Sequence, residues 1–138
     1  MRKVFADTFY WVAVLDRRDS YHVGAVAASA RLTEVRIFTS EMIFVEVLAM
    51  FAGKGAELRA AALGMVDRAI KNPNVTVVPQ TSERFHDALA LYRERSDKAW
   101  SLTDCASFRI MHEHNIAEAL TADRHFKQAG FTCLLGAG

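Results

Sequence analysis

Cysteine is scarce in this chain of 138 residues: Cys105 and Cys133 stand far apart, and neither belongs to a C-x-x-C pair. That usage argues against a disulfide scaffold or a cysteine-built zinc framework and suits a reducing compartment. No run of proline, glycine or serine separates one half of the chain from the other, and no repeat or low-complexity tract occurs. A single domain over residues 1–138 is therefore expected. No apolar run reaches the roughly 20 residues that a membrane-spanning helix needs. The basic start Met1-Arg2-Lys3 is not followed by a signal-peptide core, because Asp7 interrupts it. The expectation is a soluble cytoplasmic protein without a membrane partner. Charge of one sign is missing as well: 17 basic residues face 16 acidic ones, so there is no general attraction to nucleic acid. Neither G-x-S-x-G nor G-x-G-x-x-G is present, and Gly53-Lys54-Gly55 is too short and wrongly placed for a phosphate-cradling loop.

What is present is ordinary globular material, 51% hydrophobic and 24% charged, in a chain long enough to bury a core unaided. Short β-prone runs alternate with helical patterns. Strands are expected at Arg2–Ala6, Val35–Thr39, Val75–Val78, Ala117–Thr121 and Phe131–Leu135. Helices are expected over Phe9–Leu15, through about Arg31 with Asp19 or Ser20 as its cap, and over Glu41–Ala52, which Gly53-Lys54-Gly55 ends in the manner of a C′ glycine. Further helices follow over Ala56–Lys71, Ser82–Arg95 (with Phe85, Leu89 and Tyr92 inward) and Ser101–His114. Trp11 and the Ala56–Lys71 stripe offer more apolar surface than one small domain needs. Alternation of this kind predicts an α/β fold, a parallel sheet of about five strands with helices on both faces. In such open sheets the ligand crevice lies beyond the carboxyl ends of the strands, at the switch point in strand order.

Four acids draw notice against that frame. Asp7 follows the first strand, Asp123 follows the fourth, and Asp104 sits in the first turn of the helix leading into strand four. Glu46 is the one polar residue between Met42 and Ala52, so its carboxylate must be paired, coordinated to metal or protonated. Each has a structural reading. Asp7 suits an N-cap; Ser101-x-x-Asp104 fits a capping box flanked by Trp100 and Cys105 as a hydrophobic staple; a long-range salt bridge would satisfy Glu46. If the strand order is 3-2-1-4-5, however, all four converge on one crevice, and four independent caps have no reason to do so. Carboxylates without cysteine or histidine company suit Mg²⁺ or Mn²⁺, and metal-activated water attacking a phosphodiester is the natural chemistry. Setting these four aside leaves 17 basic residues against twelve acidic ones. His112 and His114 are two apart and share no face, and His22, in a first turn, is more often bonded to a loop than to a metal. A phosphoacceptor receiver fails because Pro79 and Gly136 stand where an aspartate and a lysine are required. A D-x-D phosphatase fails at Phe9.

Asp7-Thr8, Glu46 in its apolar helix, Asp97-Lys98-x-Trp100-Ser101-Leu102-Thr103-Asp104-Cys105 and Leu120-Thr121-Ala122-Asp123-x-x-Phe126 together resemble the PIN-domain nucleases. Within them the chain is most similar to the VapC-type toxin ribonucleases of VapBC toxin–antitoxin modules, over essentially its whole length. Asp19-x-x-His22 is also common there. The resemblance implies an acidic quartet of Asp7, Glu46, Asp104 and Asp123 holding Mg²⁺ or Mn²⁺, with Thr8, Thr103 and Thr121 supporting the acids or metal waters. It further implies endonucleolytic cleavage of RNA to a 5′-phosphate and a 3′-hydroxyl, a homodimer, and a cognate antitoxin laid over the site. Arg17, Arg18, Lys98 and Arg124 are candidate phosphate contacts, with a solvated charge as the alternative at each. The competing readings are a PIN-like RNA-binding or scaffolding module without nuclease activity, and an RNA-processing nuclease with no antitoxin.

Overall fold

The computed structural model describes residues 1–136. Five strands, β1 (Arg2–Ala6), β2 (Val35–Ser40), β3 (Val75–Val78), β4 (Glu118–Leu120) and β5 (Thr132–Cys133), form one parallel sheet in the order β3-β2-β1-β4-β5. Between them run α1 (Thr8–Leu15), α2 (His22–Arg31), α3 (Glu41–Phe51), α4 (Ala56–Lys71), α5 (Ser82–Glu94), α6 (Leu102–Glu113) and the short α7 (Arg124–Gln128). Side chains alternate between the two faces of a strand. Val4, Phe5 and Ala6 are nonetheless all fully buried, so β1 is covered on both sides, as the middle strand of a helix-flanked sheet must be.

Register decides where the strands end. Phe5 and Ala6 pair with Ala119 and Leu120, while Phe38 pairs with Phe5 on the other flank. The chain therefore leaves β1 and β4 side by side, and the Asp7 N–H still reaches Leu120 O. On the β2 side, Trp11 of α1 donates its indole N–H to Thr39 Oγ1 at 3.2 Å, and Thr39 donates to Ala6 O at 2.9 Å. Trp11 is thus a core residue, 7% exposed, rather than the surplus apolar surface expected of it. Near the other flank Phe108 of α6 forms an aromatic nest, edge-on to Trp100 at 5.0 Å and to Phe126 at 5.0 Å, and 5.6 Å from Phe131.

Several local expectations change. α3 is one-sided: Ile43, Phe44, Val47 and Phe51 are buried, while Val45 and Met50 face out, so its apolar composition overstated its burial. The positive-φ glycine after α3 is Gly55 (φ 96°), which precedes α4, and not Gly53. α5 turns Ala88 inward, whereas Phe85 and Tyr92 are exposed. Its guanidinium at Arg84 is paired with Glu113 at the far end of α6, so the two helices run antiparallel and pack through a small residue. α2 begins at His22 without a side-chain cap; Asp19 instead accepts the Tyr21 N–H at 2.8 Å. β4 and β5 are shorter than expected, and α7 lies where no element was expected. α4 buries Ala62, Met65, Val66 and Ala69 and leaves Leu63 and Ile70 exposed. No helix among the described residues is long and apolar enough to cross a membrane.

Phe108→Ala empties the centre of the aromatic nest and is expected to destabilise the fold by about 3–5 kcal/mol, as for other buried aromatics. The measurement is a urea midpoint at unchanged slope; a loss under about 1 kcal/mol would place the packing centre elsewhere.

Candidate functional site

At the carboxyl edge of the sheet Asp7, Glu46, Asp104 and Asp123 line one cleft, together with Thr8, Phe9, Val12, Asp19 and Met50. Each acid arrives from a different element. Asp7 is delivered by the end of β1 and stands at the N-cap position of α1, but its side chain makes no capping bond. It is engaged laterally instead: Thr121, just past β4, donates its hydroxyl to Asp7 Oδ2 at 2.9 Å. The same Thr121 Oγ1 accepts the Asp123 N–H at 3.0 Å, so one fully buried hydroxyl ties two of the acids together. Glu46 lies one turn into α3, half-buried at the cleft rather than enclosed in apolar packing.

Asp104 is both cap and cleft residue. Ser101 and Asp104 complete a capping box, with Ser101 Oγ accepting the Asp104 N–H and Asp104 Oδ2 accepting the Ser101 N–H, each at 3.0 Å. Asp123 likewise N-caps α7, its Oδ1 accepting the His125 N–H at 2.9 Å. Capping and convergence are therefore compatible, because a cap at the N-terminus of a helix that meets this edge already points toward the crevice.

Histidine enters where the sequence pointed to carboxylates alone. His125 Nδ1 lies 2.9 Å from Asp104 Oδ2 and 3.6 Å from Asp123 Oδ1. One donor atom from each of Asp104, Asp123 and His125 falls within 4.8 Å of the others. The signal was the spacing Asp123-x-His125, which became legible only once the residues after Asp123 proved to be a helical turn. Asp19, a fifth acid on the cleft, comes from the turn between α1 and α2. Its companion His22 is no ligand of the cleft acids: its Nδ1 is 2.7 Å from Ala13 O and anchors that turn.

Burial pushes the Asp7 carboxyl up to about 7; the Thr121 hydrogen bond opposes this, and the charges of Asp104 and Asp123 add to the rise. Thr8 Oγ1 is buried without a hydrogen-bond partner among the described residues. A set of mutually repelling carboxylates, a buried carboxyl unwilling to ionise alone and an unsatisfied hydroxyl beside it fit the demands of a divalent cation with its waters. Thr103 is less directly placed; its carbonyl accepts the Ser107 hydroxyl at 2.9 Å, and it does not line the cleft. None of the four basic candidates lines the cleft. Arg17 and Arg18 line a depression shared with Lys54 and Glu57. Lys98 lines another with Tyr92, Arg93, Arg95 and Trp100. Arg124 is exposed at the start of α7, next to Asp123.

A five-stranded parallel domain with order 3-2-1-4-5 belongs to the open α/β class, and its acid-lined crevice lies where such sheets bind their ligands, at the switch point in strand order. The chain belongs to the PIN domain family, whose model matches residues 4–132. Among solved structures it is similar to Mycobacterium tuberculosis VapC20, a sarcin–ricin loop cleaving toxin, with a TM-score of 0.84 at 22% identity over 94% of this chain and 96% of that one. It also resembles VapBC2 from Rickettsia felis bound to a DNA fragment from its promoter, with a TM-score of 0.62 at 10% identity over 95% of this chain and 96% of that one. At these identities the likeness is one of fold. Among curated proteins, none matches the chain.

The Asp7 environment has a consequence for stability. The folded protein keeps this proton up to about pH 7, whereas an unfolded chain releases it near 4. The folded state therefore binds more protons between those values, and stability falls as pH rises through them, by a few kcal/mol when complete. In EDTA at about pH 8, Asp7→Asn is expected to melt above wild type, with the gap narrowing as pH falls from about 7 towards 4 and closing only at about pH 3. A variant that melts lower at both ends of that range would make Asp7 a structural residue instead.

Proposed function

We propose that this protein is a divalent-metal-dependent endoribonuclease, with Asp7, Glu46, Asp104 and Asp123 as its metal-binding acids and Mg²⁺ or Mn²⁺ as its cofactor. The observation that carries the reading is the convergence of four carboxylates from four separate elements on one cleft, with Asp7 poised near neutrality by burial. A cation bound there supplies an activated water and neutralises charge on the scissile phosphate. The protein's own residues orient the site. Thr121 holds Asp7 and the backbone of Asp123, the Ser101 N–H holds Asp104, and Thr8 offers an unsatisfied hydroxyl for a water or a phosphate oxygen. In this reading Arg124, next to Asp123, and Arg17, Arg18 and Lys98 on two other depressions supply positive charge for the backbone phosphates of an RNA strand crossing the cleft. RNA is preferred as substrate because VapC20, which shares the fold along nearly its whole length, is a sarcin–ricin loop cleaving toxin.

The same reading makes this chain the toxin of a toxin–antitoxin pair, acting as a homodimer and inhibited by an antitoxin. Support comes from the VapBC2 assembly and from the apolar residues left outside the core, Val45 and Met50 on α3 and Leu63 and Ile70 on α4.

Two measurements test the proposal. Asp104→Asn can keep the capping box through its amide oxygen while losing a charge from the cleft, so circular dichroism should remain native. Outer-shell changes alone weaken metal sites about 10–100-fold, so Mn²⁺-dependent RNA cleavage is expected to drop by more than about 100-fold; activity near wild type in a nuclease-free preparation would refute the site. For assembly, light scattering at micromolar concentration is expected to give twice the 15.4 kDa chain mass, and a monomer across that range would count against the dimer.

A further inference from the structure

Asp104 and Asp123 reach the cleft from different elements, the first turn of α6 and the residues beyond β4, and nothing in the backbone joins them directly. His125 stands between them. Its Nδ1 is 2.9 Å from Asp104 Oδ2 and 3.6 Å from Asp123 Oδ1, and its backbone N–H donates to that same Asp123 oxygen at 2.9 Å. We propose that His125 is a positioning residue, whose Nδ1–H fixes Asp104 relative to Asp123 in the arrangement that receives a divalent cation. The inference rests on the metal-binding reading above.

The hydrogen bonds show why this ring holds its neighbour. Asp104 Oδ2 accepts from the Ser101 N–H on one side and faces His125 Nδ1 on the other, so the carboxylate plane cannot turn without losing both partners. Asp123 Oδ1 is held by the first turn of α7, which it caps. α7 is itself pinned by the fully buried Phe126, next in the chain, which packs on Phe5 of β1 and Phe108 of α6. The imidazole is therefore carried on an element anchored to both the strand that delivers Asp7 and the helix that delivers Asp104. An N–H set between two carboxylates also offsets their repulsion before any cation arrives. With Nδ1 given to Asp104, that nitrogen is not available as a ligand. The role is that of an outer-shell partner orienting a ligating carboxylate.

A positioning role and a ligand role predict different metal preferences. An imidazole ligand favours Co²⁺ over Mg²⁺, because nitrogen donors suit later transition ions and carboxylates suit hard ones. A residue that only orients carboxylates affects every divalent ion alike. The experiment is calorimetric titration of the full chain with Mg²⁺, Mn²⁺ and Co²⁺, for wild type, His125→Ala and His125→Asn, each checked for a native dichroism spectrum. The asparagine amide nitrogen occupies the place of Nδ1, so this variant can restore the bond to Asp104. His125→Ala is expected to weaken all three ions by a similar factor, about 10–100-fold, and His125→Asn to recover most of the loss. Wild-type affinity in His125→Ala, a loss confined to Co²⁺, or an asparagine variant no better than alanine would each overturn the inference while leaving the metal reading in place. Failure of wild type itself to bind any of the three ions would overturn both.

Discussion

Parallel pairing of β1 with β4 is the constraint on which the crevice depends. Ala6 lies beside Leu120, so the next residues along each strand, Asp7 and Thr121, emerge together at the carboxyl edge. Thr121 then does two things with one hydroxyl, donating to Asp7 and accepting from the backbone of Asp123. Had the register slipped by one residue, Thr121 would point to the other face of the sheet and both acids would lose their partner. The buried aromatic nest around Phe108 maintains that register indirectly, because it clamps α6 and α7 against the flank of the sheet where β4 and β5 lie.

Local stability and the site use the same atoms. Asp104 closes a capping box and Asp123 caps α7, yet both face the cleft. A helix N-terminus presents unpaired N–H groups and the positive end of its dipole, so an acid there is favoured even before any ligand binds. That contribution offsets part of the repulsion that gathering the acids creates. Asp7 stands at the N-cap position of α1 without closing a side-chain capping bond, and although the Thr8 N–H favours its charged form, burial outweighs that help and governs its proton. The site is therefore uneven, with two acids anchored by helix ends and one held in the core by a threonine.

The charge around the cleft is arranged in zones. Acids line the crevice, Arg17, Arg18 and Lys98 line two other depressions, and Arg124 is exposed next to Asp123. The near-neutral total of the chain conceals this separation, since a net charge carries no information about place.

Much of this was legible from residue order. Hydrophobic alternation located all five strands, Ser101-x-x-Asp104 named its own capping box, and an acid after strand one and strand four pointed to the crevice once the sheet was read as parallel with order 3-2-1-4-5. These features depend on contacts within a few residues or on general rules of βα connection, so a linear reading reaches them. Composition misled where burial depended on a distant partner. The apolar run of α3 promised an enclosed Glu46, but Val45 and Met50 are exposed, and the carboxylate sits half-buried at the cleft. Phe85 and Tyr92 looked like the inner stripe of α5, yet both are exposed and Ala88 is buried instead. His125 was invisible for the same reason: its significance lies in an oxygen of Asp104, 21 residues away in sequence and 2.9 Å away in space. Sequence by itself determined the elements and the acids at their ends, because those follow from local chemistry. Only the tertiary structure decided which side chains stand between the acids, because that depends on how α6 and α7 dock against the sheet.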